Sequence, residues 1–159
     1  ESVCPMGVTI TVSPTQPFAV SVFAYEEDTS LILSTAARVQ TLDDHPIRVM
    51  TALIEEPTYA PGTVLPRGGS PLRLFAVVHD LEQEPTTCDE WILNALEGVL
   101  SFCNAHGVVA LGLDPLGAVH GKHSVDQFRE TLVQQLSVRP PNTLHHVWLR
   151  SGGVGESHV

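Results

Sequence analysis

The feature that most restricts the fold of this chain is a regular alternation of apolar runs with amphipathic stretches from about residue 46 onward. Apolar runs at 74–78, 108–113 and 144–149 predict strands, and the first two are apolar on both faces, which is typical of strands buried between two layers. Stripes of helical period separate them. This alternation predicts an α/β fold: a three-layer α/β/α sandwich with a largely parallel central sheet.

The helix starts carry recognisable signals. Thr87 and Ser124 each begin a capping-box pattern, in which a hydroxyl and a side chain three residues later satisfy free backbone N–H groups. Gly107 is placed to end the first of these helices in a left-handed conformation. Another helix is predicted to begin at Pro46, since a missing N–H costs nothing there, and to end at Pro57.

The N-terminal third predicts strands that make the central sheet mixed. Residues 8–12 alternate, residues 18–25 form a second run, and residues 31–33 form a short third one. The acidic stretch 26–30 between the last two predicts a polar turn. Of the adjacent His145 and His146 in the last strand, at least one is predicted to be packed in the core.

Length and charge limit the organisation and the function classes. One domain is predicted over residues 1–150, with the polar, Gly-rich residues 151–159 as a disordered tail. Acidic residues outnumber basic ones 18 to 8, a net charge of −10, which argues against a grip on nucleic acid. No apolar run approaches the ~18 residues of a membrane span, and no signal peptide is evident. Three cysteines without a C-x-x-C pair favour a reducing cytoplasm.

Ligands of open α/β sheets bind beyond the carboxyl ends of the strands, and two segments are predicted to lie there. One runs from Ser34 to Ala37. The other is the loop before the Ser124 helix, whose glycines allow successive N–H groups to converge on one point. It predicts a preformed anion site built from the backbone of Leu116, Gly117, Ala118, Val119, His120 and Gly121.

Other reactive residues favour plainer interpretations. His79, Asp114, His120 and His123 lack the helical pair and the second carboxylate of a zinc site, so we expect solvated loop histidines and no metal or cofactor. Cys88 lies in the first turn of a helix, where the dipole lowers the pKa of a thiol. No base is placed beside it, so a nucleophilic role is not favoured.

From about residue 74 to 149, the chain resembles the C-terminal half of a macrodomain. The likeness lies in the apolar strand that ends at His79, the long helix that ends at Gly107, and the Pro-x-x-Gly-x-x-Gly-like loop 115–121. Residues 31–37 resemble the family's strand that runs into an Asn-Ala-Ala-Asn motif. The resemblance implies an ADP-ribose-type ligand contacted by the 116–121 loop and by residues 34 and 37, since macrodomains bind ADP-ribose and some hydrolyse ADP-ribosyl bonds or acetyl-ADP-ribose.

The departures from that pattern limit what the resemblance implies. Ser34 and Ala37 stand where the family has asparagines, the second of them catalytic in the hydrolases, and no Gly-Gly-Gly follows. The Asp that contacts adenine would fall near Phe23. A nucleotide-binding module without the family's hydrolase activity is therefore predicted. The alternatives are a hydrolase with a rewired site using Asp114, His120 or His123, and a structural or protein-interaction domain with a vestigial pocket.

Overall fold

The computed structural model of the chain describes residues 2–3, 7–31, 33, 58–119 and 123–151. The described residues form seven strands and two helices. The strands are β1 (Ser2–Val3), β2 (Thr9–Ser13), β3 (Val22–Asp28), β4 (Val64–Arg67), β5 (Leu72–His79), β6 (Ala110–Leu113) and β7 (His146–Arg150). The helices are α1 (Asp89–Ala105) and α2 (Val125–Val138).

The strands form one mixed sheet in the order β1-β2-β7-β6-β3-β5-β4. The five strands from β2 to β5 along this order run parallel, and only the edge strands β1 and β4 are antiparallel to their neighbours. The prediction that residues 74–78, 108–113 and 144–149 share one sheet is confirmed. The parallel strands therefore end at one edge, which we call the carboxyl edge.

One face of the sheet is aliphatic and lies under both helices. Alternate residues of β3, Val22 and Ala24, belong to this core together with Leu74 of β5 and Leu111 of β6. The helices contribute their apolar stripes, so the prediction that both cover the sheet is confirmed. The buried helical residues are Ile92, Ala95, Leu96, Val99 and Cys103 of α1, and Phe128, Leu132 and Leu136 of α2.

The other face carries a row of aromatic rings. Phe23 lies between Tyr25 and Trp148, with ring centroids 4.6 and 5.3 Å away, and Tyr25 lies 6.1 Å from Phe75. The Phe23 ring lies over Gly112, where a Cβ atom would approach the ring to 2.3 Å. Glycine in the middle of this buried strand is thus the residue that makes room for the row.

The two helix starts differ although both were predicted as capping boxes. Ser124 forms the full box, since its hydroxyl accepts from Gln127 N at 3.0 Å and the Gln127 side chain accepts from Ser124 N. The prediction at Thr87 is wrong, because α1 takes Cys88 as its N-cap with no side-chain cap bond. Gly107 has a φ of 63°, as predicted for the residue that ends α1.

The N-terminal third needs the most correction. The polar turn predicted from residue 26 is wrong, because Glu26, Glu27 and Asp28 are buried at the end of β3. Leu31 lies outside any strand, with a φ of 56°, and Leu33 is helical, so the short strand predicted there is wrong as well.

Two further expectations are corrected by the structure, and two others lie outside the described residues. The Pro- and Gly-rich composition of residues 60–72 predicts a loop, but this stretch contains strand β4. His145 and His146 are both exposed, so the packed histidine predicted there is wrong. The helix predicted from Pro46 to Pro57 and most of the predicted tail, residues 152–159, lie outside the described residues. Neither described helix has the length and hydropathy to cross a membrane.

Candidate functional site

Buried charged side chains collect at the carboxyl edge of the sheet. The last three residues of β3 are acidic, His79 ends β5, Asp114 follows β6, and Arg150 ends β7. Because parallel strands bring their carboxyl ends together, residues far apart in sequence meet here. The acids and the histidine are each at most 4% exposed. Burial of several ionisable groups is costly unless each is paired, so the contacts between them define the site.

Glu26 is the centre of this network. Its Oε2 atom is hydrogen-bonded to the imidazole Nε2 of His79, and both side chains are buried. Its Oε1 atom accepts from the backbone N–H groups of Gly117 at 2.8 Å and Val119 at 3.2 Å. The other imidazole nitrogen of His79 lies 2.9 Å from the hydroxyl of Thr86. One carboxylate thus ties β3 to the end of β5 and to the loop after β6.

Asp114 ties the neighbouring strands together. Its Oδ2 atom accepts from the backbone N–H of Glu26 at 3.2 Å, and its Oδ1 atom lies 2.7 Å from the Arg150 guanidinium. Burial raises the pKa of the Asp114 carboxyl above its ordinary value, and Arg150 offsets part of that rise. The same guanidinium lies 4.6 Å from the centre of the Phe23 ring, which adds a cation–π contact.

Asp28 organises the turn that follows β3. Its two carboxylate oxygens accept from the backbone N–H groups of Ser30 and Leu33, each at 3.0 Å. This arrangement satisfies donors at the start of the next segment in the manner of a cap. The candidate site residues Ser34 and Ala37 follow directly, but they lie outside the described residues.

The loop after β6 differs from the predicted cradle of free amides. Gly117 N and Val119 N donate to Glu26, and Ala118 N donates to the carbonyl of Pro115 at 2.9 Å. A preformed anion site is therefore wrong for these three amides, because each already has an acceptor within the protein. His120 and Gly121 lie outside the described residues, and ligand binding by the loop stays a prediction.

The conformation of the loop explains its glycine. Gly117 has a φ of 87°, in the left-handed region, which is a conformation that the glycines of this loop allow. A Cβ atom there would lie 2.6 Å from Ile92 Cδ1 and 3.0 Å from the His123 ring. Leu116 beside it is completely buried in the core. The loop is thus held by packing as well as by Glu26.

The expectation of solvated loop histidines is wrong for His79, which is buried at the end of β5, and the histidines near this loop separate in the structure. His79 and Asp114 both contact Glu26, whereas His123 pairs with Asp89 at the start of α1, with 2.9 Å between Nε2 and Oδ1. Across the ranges that the structure describes, no three His, Cys, Asp or Glu residues are grouped to hold a metal ion. Cys88 is free and half-buried at the N-terminus of α1.

A cavity of about 730 Å³ lies between α1 and α2. Ile92 and Phe128 form apolar parts of its lining, and it shares Leu116 and His123 with the loop after β6. The Nδ1 atom of His123 is buried and has no hydrogen-bond partner within the described part of the chain. The cavity therefore borders the loop, but the charged network around Glu26 does not line it.

The sequence interpretation missed Glu26, although one signal for it was present. Side chains at every second position of a strand lie on the same face of the sheet, and Val22 and Ala24 of β3 belong to the core. If the strand continues two residues beyond Ala24, the Glu26 side chain lies on this core face as well. Its partners are 53 residues away at His79 and 91 residues away at Gly117. No pattern local to residue 26 indicates either of them.

Comparison with known proteins was informative at the level of structure. No family model matches the sequence, and no curated protein matches it either. The macrodomain of Thermus aquaticus DarG is 13% identical with a TM-score of 0.63, covering 91% of this chain and 99% of that one. The macrodomain of Mycobacterium tuberculosis DarG is 11% identical with a TM-score of 0.62, covering 91% and 100%.

A third similar structure is a mutant of the Oceanobacillus iheyensis macrodomain solved with ADPR. It is 12% identical with a TM-score of 0.61, covering 91% of this chain and 87% of that one. Likeness at such low identity is a statement about fold. The chain has the α/β/α macrodomain fold with a mixed sheet, as the resemblance implied.

Proposed function

We propose that this chain is a divergent macrodomain-type module that binds a nucleotide ligand of the ADP-ribose type at the carboxyl edge, without hydrolysing it. The observation that carries the proposal is the carboxyl edge itself, at which five parallel strands of the sheet end. Ligands of open α/β sheets bind there, and a macrodomain of the same fold has been solved with ADPR.

The lack of hydrolysis is inferred from the side chains at the edge. Ser34 and Ala37 replace the asparagines of the family, so the usual catalytic amide has no counterpart. The described acids already have partners: Asp114 pairs with Arg150, and Glu26 pairs with His79. A general base must reach the proton that it removes, and neither carboxylate has an unpaired position toward solvent.

A second candidate function is favoured by one specific contact. The Glu26 carboxylate occupies two amides of the very loop that would receive a diphosphate. This supports a structural or protein-interaction domain whose pocket is vestigial. The net charge of −10 makes a protein partner a better match than nucleic acid. The free thiols of Cys88 and Cys103 support a reducing cytoplasm as its setting.

Calorimetric titration with ADP-ribose decides between the two candidates. If the chain is a nucleotide-binding module, the titration should give a saturable signal. The midpoint temperature of thermal unfolding should then rise, since a ligand at a hundredfold excess over Kd stabilises the folded protein by about 2.7 kcal/mol. ADP and NAD serve as matched ligands that share the diphosphate. If ADP-ribose, ADP and NAD all give no binding signal, the structural or protein-interaction domain with a vestigial pocket is the better candidate. Release of ADP-ribose from a modified protein at an enzymatic rate would overturn the absence of hydrolysis.

A further inference from the structure

We propose that Glu26 is the specificity-determining residue of the carboxyl edge, because its carboxylate takes the place of an anionic ligand group on the loop after β6. The inference rests on the proposed function for the location of the ligand. In the native protein the loop is closed to a phosphate group, and removing the Glu26 carboxylate opens an anion site there.

The contact has the form of a bound anion. One carboxylate oxygen accepts from two backbone N–H groups, those of Gly117 and Val119, across a left-handed glycine. N–H groups converged in this way bind phosphates and carboxylates alike. Glu26 comes from a strand that precedes the loop by 91 residues, so the contact is not part of closing a local turn. An internal side chain occupies the position that a ligand oxygen would use.

The carboxylate is anchored on its other side. His79 holds the second oxygen of Glu26, and Thr86 holds His79 in turn. The side chains of Glu26 and His79 are at most 1% exposed. A phosphate group that displaced Glu26 would leave a buried carboxylate with fewer partners, which is strongly unfavourable. Competition for the two amides therefore favours Glu26.

Electrostatics add to the exclusion. A phosphate at the amides of Gly117 and Val119 would lie beside Glu26, with Asp114 contacting the backbone of the same residue. Like charges that face one another at a binding interface repel, and this repulsion rejects the wrong ligand. Ligands whose phosphates contact other parts of the edge escape this penalty. Glu26 thus selects where on the edge an anionic group is bound.

Substitutions at Glu26 can separate charge from shape. Glu26→Ala removes the carboxylate and frees both amides, whereas Glu26→Gln removes the charge but keeps an oxygen that accepts from them. Glu27→Ala is the matched control, because Glu27 is also a buried acid of the same strand, and its carboxylate accepts from the N–H of Asp28. Gly117 is unsuitable for the test, because a side chain there would collide with Ile92 of the core.

The experiment is an amide NMR titration of the four proteins with inorganic phosphate and, separately, with ADP-ribose. Phosphate should leave the Gly117 and Val119 resonances of the native protein, Glu26→Gln and Glu27→Ala in place. In Glu26→Ala the resonances of both amides should shift saturably, with a Kd at least about tenfold below the highest phosphate concentration that leaves them in place in the native protein.

Two results would overturn the inference: a saturable phosphate shift of Gly117 and Val119 in the native protein, or a folded Glu26→Ala that gains none. If Glu26→Ala does not fold, the native titration and Glu26→Gln decide by the same two resonances. ADP-ribose separates this inference from the proposed function. When no native resonance responds to ADP-ribose, the proposed function fails, whereas a response confined to other residues of the edge supports both.

Discussion

The middle of the sheet and its carboxyl edge are built from the same strands by opposite means. In the middle, Val22 and Ala24 of β3 pack in an aliphatic core beneath α1 and α2. Two residues further along the same strand, Glu26 is equally buried but is held by His79 and by backbone N–H groups. The strand thus passes within a few residues from apolar packing to a network of paired charges.

Because the two regions are held together differently, substitutions in them are expected to affect stability differently. When a buried aliphatic side chain is shortened, the protein loses the contacts of the atoms that were removed. The neighbouring apolar side chains lose no hydrogen-bond or ionic partner. A buried charge that loses its partner leaves that partner unpaired, so the damage exceeds the contact that was removed. The edge is therefore expected to tolerate conservative substitutions poorly and the middle to tolerate them well.

The largest effect is expected when one member of the buried Glu26–His79 pair is removed. His79→Leu keeps the volume of the side chain but leaves the buried Glu26 carboxyl group without its imidazole partner, which should lower the free energy of unfolding by about 3–5 kcal/mol. Chemical denaturation measures the change. His79→Gln, which can still donate a hydrogen bond, should lose clearly less. A loss under about 1 kcal/mol in His79→Leu would mean that the pair contributes no more than a surface contact.

A slightly smaller loss is expected in the middle of the sheet. Leu111 of β6 is completely buried, and Leu111→Ala should cost about 3 kcal/mol, within the usual range of about 2–5 for such cavities. Leu111→Ile keeps the volume and should cost under about 1.5 kcal/mol. Denaturant midpoints of the two variants check the contrast with His79. Equal losses in both variants would show that the middle is as intolerant as the edge.

The two helix starts next to the edge give a smaller and sharper contrast. Ser124→Ala removes a formed capping bond and should cost about 1 kcal/mol. Thr87→Val removes a buried hydroxyl for which the described residues offer no partner, so stability should stay unchanged or rise. Thermal unfolding of the two single variants, each compared with the native protein, checks both expectations. A loss in Thr87→Val comparable to that in Ser124→Ala would show that the Thr87 hydroxyl is paired in solution.

The smallest effect is expected in the pH dependence that Asp114 contributes. Burial raises its pKa from the ordinary value of 3.8, so the folded protein keeps this proton at a pH where the unfolded chain has lost it. The free energy of unfolding of the native protein, relative to Asp114→Asn, should therefore fall as the pH rises through that window and then stay level.

Denaturation of both proteins at several pH values above 3.8 checks the sign. A relative stability that rises with pH instead would mean that the Arg150 ion pair outweighs the burial of Asp114. The middle of the sheet holds no such group, so a pH effect of this kind is a property of the edge alone among the described strands.

Regular periodicity made most of the fold predictable from the sequence. The strands β5, β6 and β7 and the two helices follow from apolar spacing, and the Ser124 box follows from two residues three apart. The same pattern failed at Thr87 because the helix begins one residue later than the box requires. With Cys88 as N-cap, Glu90 is the second helical residue rather than the third.

The contacts at the carboxyl edge were less predictable, because they join residues that are far apart in the sequence. A run of acidic residues ordinarily predicts a solvated turn, and Glu26, Glu27 and Asp28 are buried only because the fold brings partners to them. The loop after β6 was located correctly, and its glycines were recognised as residues that allow unusual backbone conformations. What filled the loop depended on a side chain 91 residues earlier in the chain.

The position of β7 has a consequence for how the protein is made. This strand lies between β2 and β6, so it joins residues near the start of the sequence to the centre of the sheet. Until residues 146–150 emerge from the ribosome, β2 lacks its neighbour β7, and the pair of β1 and β2 alone has little stability in water. These two strands precede the other described strands along the chain but are ordered only once β7 is made, and a nascent chain paused before residue 146 exposes the unpaired edges of both β2 and β6 to other chains.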